Sequence, residues 1–122
     1  MLIGVIDSGI GGLEIVNRLS DKNKYILIMD NAFFPYGNKR KEFLIKRTIY
    51  LIDYLVKRGV DCVILGCTHF GYFEKEIVES TNCSNIVESA KVLAVKVKEY
   101  LEENNLVNEN DKGSIHYIEH IE

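Results

Sequence analysis

The sequence predicts an α/β protein: a single three-layer domain in which a mostly parallel sheet of about four to five strands is flanked by helices. Short apolar runs alternate with helical patterns along the chain, which is typical of a parallel sheet covered on both faces. The 122 residues suit one domain. An apolar content of 47% and a charged content of 27% are ordinary for a globular protein.

The first half of the chain has the pattern of strand, turn, helix, strand, loop and helix. Residues 2–6, LIGVI, form a short buried strand, and the turn DSGIGG leads into a helix. KYILIMD is the second strand, and the loop NAFFPYGN after it contains the only proline. The longest helix is expected over about residues 39–58, because two basic residues and Gly59 form a helix stop signal.

The second half continues the alternation. VDCVIL is the third strand, YFEKEIVES a helix and NIV a short fourth strand. Ser89 is the expected N-cap of a helix that runs to about Glu103. The apolar face of this helix consists of Ala90, Leu93, Ala94, Val97 and Leu101. An exposed loop and a last strand, SIHYIEHIE, close the chain.

Charge and composition disfavour several classes of protein. With 15 basic and 18 acidic residues the net charge is only -3. Glutamate and aliphatic residues interrupt the basic stretch NKRKEFLIKR, a pattern typical of a solvated helix face. No nucleic-acid partner is therefore expected. The apolar runs are far shorter than the roughly 20 residues that cross a bilayer, so no membrane partner is expected. Three cysteines without a C-x-x-C pair, and no cleavable signal sequence, indicate a cytoplasmic protein.

Polar residues fall where predicted strands end, which is where ligands bind to parallel sheets. In DSGIGG, glycines allow a tight turn that exposes amide groups at a helix start, a site for a small anion. Phosphate is disfavoured, because the P-loop lysine is missing and Asp7 stands at the mouth. Asp7 fits better as a base or a partner for an ammonium group, with Ser8 and the amides binding a carboxylate. A turn that merely closes a strand–helix corner is the alternative.

The third strand ends in Gly66, Cys67, Thr68 and His69. A thiol at a strand end, ahead of a helix and near an imidazole, can supply thiolate near neutral pH. The alternative for Cys67 is that it merely serves as a small buried hydrophobic residue. We adopt that interpretation for Cys62, in the middle of the strand, and we interpret Cys83 as an incidental loop cysteine. A zinc site on Cys67 and His69 lacks two further ligands at recognisable spacing, so no metal is expected.

The chain also contains H-x-x-E-H, formed by His116, Glu119 and His120. This is a metallopeptidase motif only when the segment is a helix. Alternating apolar residues predict a strand here instead, and the chain ends before a third ligand could follow. Peptidase function is therefore disfavoured.

Read in order, GVIDSGIGGL, FFPYG and ILGCTH resemble the aspartate/glutamate racemase family, and its glutamate-specific branch most closely. The resemblance runs over nearly the whole chain. It implies an isomerase that interconverts L- and D-glutamate for peptidoglycan precursor synthesis, with no cofactor and no metal. Such an enzyme inverts the α-carbon with an acid/base group on each of its two faces.

The resemblance also implies roles for individual residues. Catalytic roles fall to Cys67, Asp7 and His69. The substrate-binding residues that it implies are Asp7, Ser8, Pro35, Tyr36, Gly37, Thr68 and His69.

The chain departs from the family by its length. The family has two similar lobes, with one cysteine in A-C-N-T and the other in G-C-T-H, and this chain has only the latter. We expect a single racemase-like domain over 1–122, in which 1–58 resembles the first lobe and 59–122 the end of the second. Cys67 is then expected close to Asp7, and catalysis requires a second acid/base from a homodimer partner or from His69. The alternative is a non-catalytic truncated homologue that binds an acidic amino acid.

Overall fold

The computed structural model describes residues 1–19, 23–30, 41–107, 113–116 and 118, apart from the side chains of Lys41, Thr68, His69 and Tyr72. The strands are β1 (Leu2–Asp7), β2 (Lys24–Met29), β3 (Cys62–Leu65) and β4 (Ile86–Glu88). The helices are α1 (Gly11–Leu19), α2 (Lys41–Val56), α3 (Glu74–Ser80) and α4 (Ser89–Glu103), and a 3-10 helix (Thr68–Phe73) precedes α3. No helix in these ranges combines the length and hydropathy that a membrane crossing requires.

The four strands form one parallel sheet in the order β2-β1-β3-β4. β1 is central because it pairs with β2 on one side and with β3 on the other. In this register Ile6 lies opposite Leu65 of β3, and Asp7 lies opposite Met29 of β2. All strands therefore end at the same edge of the sheet, which is the edge where ligands bind in such folds.

Helices cover both faces of the sheet, since successive side chains of a strand point to opposite faces. On one face α1 lies so close to β1 that a Cβ at Gly12 would be 3.3 Å from Cγ1 of Val5. On the other face α2 approaches Gly4, where a Cβ would be 2.6 Å from Cδ1 of Leu55. The predicted three-layer α/β fold with a parallel sheet is confirmed.

The hydrophobic core lies between the sheet and the layer of α2 and α3. Phe70 and Phe73 of the 3-10 helix and Ile77 of α3 are almost fully buried in it, beside strand side chains such as Ile6. Each buried side chain of this size stabilises the fold by roughly 1.5–3 kcal/mol relative to an exposed one. The GCTH segment is thereby anchored to the core through the aromatic residue that follows it.

The stop signal at the end of α2 is confirmed. α2 ends at Val56, and Gly59 adopts a left-handed conformation with a φ of 84°. The Val60 amide donates to the carbonyl of Leu55 at 3.2 Å, and the Gly59 amide donates to the carbonyl of Val56 at 3.0 Å. These two bonds form a Schellman motif, which favours glycine at the left-handed position and turns the chain into β3.

Three predictions about the second half need correction. The N-cap of α4 is Glu88 and not Ser89, because the Glu88 carboxylate accepts hydrogen bonds from the amides of Ala90 and Lys91. The apolar face of α4 is not covered, since α4 has no buried residue. The last strand is absent from 113–116, which have no regular structure, whereas 117 and 119–122 lie outside the described residues.

Candidate functional site

Asp7 is the last residue of β1, and its side chain is only 6% exposed. Its Oδ1 accepts a hydrogen bond of 2.8 Å from the amide of Ser8. A Cβ at Gly11 would lie 2.6 Å from Oδ2, and one at Gly12 would lie 3.1 Å from the Cβ of Asp7. Glycines are therefore needed here because the first turn of α1 rests directly on this carboxylate.

Cys67 follows β3 in an extended conformation, with a φ of -82° and a ψ of 135°. Before it, the Gly66 amide donates to the carbonyl of Ile6 at 2.8 Å, and a Cβ at Gly66 would lie 3.5 Å from Cγ of Asp7. The hydroxyl of Ser8 donates to the Sγ of Cys67, with 3.6 Å between oxygen and sulfur. Pairing of β1 with β3 therefore brings Asp7, Ser8 and Cys67 together.

Ser89 was predicted to be the N-cap of α4, but in the structure it positions the backbone beside Cys67. Its hydroxyl donates a 3.0 Å hydrogen bond to the carbonyl of Gly66, directly before Cys67. The side chain of Glu88, 4% exposed, meanwhile caps α4 and lies 3.6 Å from where a Cβ at Gly71 would be. The end of β4 thus fixes the backbone that carries the thiol. The sequence signal for this positioning role was a serine directly after a strand, but the same signal also predicts a helix N-cap.

Asp30, directly after β2, joins the same edge. Its amide donates to the carbonyl of Asp7 at 2.8 Å, and its Oδ2 accepts from Nε of Arg47 at 2.6 Å. The Asp30 side chain is 11% exposed, and the Arg47 guanidinium also lies 5.4 Å from the ring centroid of Tyr50. This charge-assisted bond fixes the end of β2 to α2. Arg47 was not singled out from sequence, because it stands among several basic residues of an otherwise solvated helix face.

Several predicted site residues are not located in full. Pro35, Tyr36 and Gly37 lie outside the described residues. Thr68 and His69 begin the 3-10 helix, and only their backbone is described. His116 has no helical conformation, and Glu119 and His120 lie outside the described part.

The other two cysteines lie near the opposite edge of the sheet. Cys62 is the first residue of β3, and Cys83 precedes β4, where its thiol donates to the carbonyl of Asn85 at 3.3 Å. Burial raises the pKa of the Cys62 thiol, and the neighbouring Cys83 adds to this rise. Burial disfavours the charged thiolate, so Cys62 has the character of a structural thiol.

The edge formed by Asp7, Ser8 and Cys67 combines a carboxylate, a hydroxyl and a thiol within one small region. The hydroxyl can donate to a thiolate, and the sulfur can then take up and return a proton. Among the described residues, no group of three or more His, Cys, Asp or Glu side chains lies close enough together to bind a metal ion.

Curated proteins of known function resemble this chain. It is 32% identical over 128 residues to glutamate racemase 1 of Caldanaerobacter subterraneus, with 88% of the chain and 48% of that protein covered. It is 33% identical over 102 residues to the glutamate racemase of Persephonella marina, with 79% and 39% covered. No protein-family model matches the chain. The chain thus spans half or less of the length of these relatives.

Solved structures agree with the sequence comparison. The glutamate racemase of Aquifex pyrophilus superposes with a TM-score of 0.66 and 30% identity, covering 84% of this chain and 41% of its own. A glutamate racemase isoform of Bacillus anthracis also gives a TM-score of 0.66, but at 21% identity this likeness concerns the fold alone. The resemblance drawn from the three sequence motifs is confirmed: the chain is a partial homologue of the glutamate racemases.

Proposed function

We propose that this chain is a cofactor-independent, racemase-type isomerase that acts on the α-carbon of glutamate. In this proposal it is a single racemase-like domain over 1–122, with 1–58 corresponding to a first lobe and 59–122 to the end of a second. It would work in the cytoplasm and interconvert L- and D-glutamate for peptidoglycan precursors. The matched relatives, which are glutamate racemases, support the reaction class and the substrate.

One observation carries the proposal: the 3.6 Å contact between the hydroxyl of Ser8 and the Sγ of Cys67, beside the buried carboxylate of Asp7. These groups come from two motifs 59 residues apart in the chain. A thiol that must ionise benefits from a neighbouring hydroxyl donor, because a hydrogen bond to the charged form favours it. The contact therefore supports Cys67 as the group that exchanges a proton with the substrate.

In the proposed mechanism the Cys67 thiolate removes the α-proton of glutamate from one face. Asp7 pairs with the α-ammonium group and assists the proton transfer, and nearby backbone amides bind the α-carboxylate. The single hydroxyl proton of Ser8 stays on the sulfur of Cys67. Thr68 and His69, with the substrate loop that holds Pro35, Tyr36 and Gly37, complete the pocket. Donors aimed at the substrate carboxylate stabilise the negative charge that develops as the proton leaves.

Inversion also needs a proton from the other face. Cys62 and Cys83 lie near the opposite edge of the sheet, so neither can serve Cys67 as the second thiol. In the proposal the second acid/base comes from His69 or from a second copy of the chain. The distance of Cys62 and Cys83 from the site also favours the alternative function, a non-catalytic homologue that binds an acidic amino acid.

Incubation with L- or D-glutamate in heavy water separates these functions. NMR reads deuterium uptake at the α-carbon, and chiral chromatography reads the ratio of enantiomers. A racemase gives both signals. A site with one base gives deuterium uptake from one enantiomer without inversion, and binding without any uptake supports the non-catalytic homologue.

Two cysteine variants provide the control. Cys67→Ser removes the proposed base, and we expect loss of deuterium uptake by at least a hundredfold, the scale of general-base contributions. Cys83→Ser changes a thiol that lies away from the site, and its rate should equal that of the unmodified chain. Uptake that survives Cys67→Ser would refute the assignment of Cys67.

A further inference from the structure

The thiol of Cys67 is joined to β3 through Gly66, a residue that does not fix the backbone by itself. A larger residue is disfavoured there, because a Cβ at Gly66 would lie only 3.2 Å from Cδ1 of Ile15 in α1. Glycine also leaves the backbone more conformational freedom than any other residue. The orientation of the peptide group between Gly66 and Cys67 therefore depends on the groups that hydrogen-bond to it.

Gly66 is bound from both neighbouring strands. Its amide donates to the carbonyl of Ile6 in β1 at 2.8 Å, and its carbonyl accepts from the hydroxyl of Ser89 at 3.0 Å. The last paired residues of β3 and β4 are Leu65 and Glu88, so Ser89 stands one residue beyond the ladder. Its hydroxyl thus adds a contact past the end of the sheet, on the peptide group that leads into the thiol.

The peptide group on the other side of Cys67 is held as well. Its carbonyl accepts a 3.2 Å hydrogen bond from the amide of Phe70, whose side chain is only 1% exposed. With both peptide groups held, the position of Sγ depends on the backbone and on the rotation of one short side chain. The contact from the hydroxyl of Ser8 to Sγ spans 3.6 Å, so even a small displacement of the backbone would weaken it.

We propose that Ser89 is a positioning residue for proton transfer at Cys67. Its hydroxyl orients the peptide group between Gly66 and Cys67 and thereby keeps Sγ beside the hydroxyl of Ser8. In this role Ser89 acts through Gly66 and makes no contact with the reacting atoms. A misplacement of about 1 Å at a reacting group can lower the rate about a hundredfold. The effect on proton transfer rests on the proposed function, whereas the effect on the thiol exists without any substrate.

Alkylation of the folded chain by iodoacetamide tests the effect on the thiol. Mass spectrometry of the peptide that contains Cys67 separates its reaction from those of the other cysteines. We expect Ser89→Ala to slow alkylation of Cys67 severalfold, because the thiolate is the reactive form and the hydrogen bond from Ser8 favours it. Ser89→Thr keeps the hydroxyl and should restore most of the rate. Ser80→Ala is the matched control, since Ser80 is an exposed serine at the end of α3, and its rate should equal that of the unmodified chain.

A pair of variants tests whether Ser89 acts through Ser8. Ser8→Ala removes the donor to the sulfur and should itself slow alkylation. In the Ser8→Ala background, Ser89→Ala should then cause no further slowing, because the contact that it controls is already lost. Circular dichroism checks that each variant keeps its helix content. If Ser89→Ala unfolds the chain, Ser89→Cys replaces it, since its thiol keeps the size of the side chain but donates only weakly.

Deuterium uptake from heavy water tests the effect on proton transfer. We expect Ser89→Ala to lower the maximal rate at least tenfold and to leave the KM for glutamate within about twofold, because an interaction that matters only for the transfer step changes kcat. A rise in KM without a fall in kcat would overturn the positioning role. No uptake by the unmodified chain would contradict the proposed function, and the alkylation rates would still decide the role of Ser89. Equal alkylation rates for folded Ser89→Ala and the unmodified chain, or independent effects of Ser8→Ala and Ser89→Ala, would overturn the inference.

Discussion

Removal of the Glu88 side chain should loosen the last helix from the protein. Both oxygens of this buried carboxylate are used, Oε1 accepting from the amide of Ala90 and Oε2 from the amide of Lys91, each at 2.9 Å. A hydrogen bond to a charged group contributes about 1.5–3 kcal/mol, and loss of a single N-cap costs about 0.5–2 kcal/mol. Because the freed amides at the helix start can in part bond water, we expect Glu88→Ala to lower the free energy of unfolding by about 2–3 kcal/mol.

Urea denaturation followed by circular dichroism measures this change. Glu88→Gln keeps the shape of the side chain but only one acceptor oxygen, so its loss should be about half as large. Glu103→Gln changes an exposed carboxylate at the other end of the same helix and should stay within about 0.5 kcal/mol of the unmodified chain.

Hydrogen exchange locates the effect. Since α4 has no buried residue, amides in this helix should lose protection in Glu88→Ala before amides of β1 do. A loss below about 0.5 kcal/mol for Glu88→Ala, or equal losses for Glu88→Ala and Glu103→Gln, would refute the role of the carboxylate as the cap.

Three further changes have defined outcomes. Gly11→Ala would place a methyl group 2.6 Å from the buried carboxylate of Asp7, so its free energy of unfolding in urea should fall by about 1–2 kcal/mol. Gly9→Ala is the control and should change the free energy of unfolding very little, because no atom lies within 4 Å of its added methyl group. Equal losses in the two variants would contradict the close approach of Gly11 to the carboxylate. The free energy of unfolding should fall by about 2–5 kcal/mol in Leu55→Ala and by about 1–3 kcal/mol in Gly4→Ala. The double variant should lose less than the sum of these values, because the new methyl group at position 4 enters the space that the leucine side chain leaves. Strictly additive losses would argue against contact between the two residues. Burial raises the pKa of the Cys62 thiol above its ordinary 9.0, so its contribution to stability is complete below that pH and declines as pH rises through the higher folded value. The free energy of unfolding should thus fall less steeply above pH 9.0 in Cys62→Val, and unchanged steepness would refute this origin.

Much of the fold could be predicted because local patterns determine it. Alternation of apolar runs with helical stretches indicates parallel strands. The end of α2 is also visible in the sequence, because a glycine after two basic residues is a helix stop signal, and Gly59 adopts the left-handed conformation that such a stop requires. The strand order could not be predicted in the same way, because hydrophobic pattern gives no information about which strands are neighbours. It is the pairing of β1 with β3 that sets Ser8 beside Cys67.

The errors concentrate in α4 for two physical reasons. A serine is normally the better N-cap, but here Ser89 bonds the carbonyl of Gly66, and the buried Glu88 reaches the helix amides instead. An apolar stripe also reveals that a helix has a face to bury without revealing the partner. Leu93 and Val97 belong to the apolar face predicted for this helix, and both are exposed.

The most direct test of Cys67 as an acid/base for glutamate is the rate of α-deuterium uptake from heavy water, measured by NMR for the unmodified chain and for Cys67→Ser. We predict uptake by the unmodified chain with at least one enantiomer of glutamate, and a rate at least a hundredfold lower for Cys67→Ser. The absence of uptake with both enantiomers, or equal rates for the two proteins, would contradict the assignment.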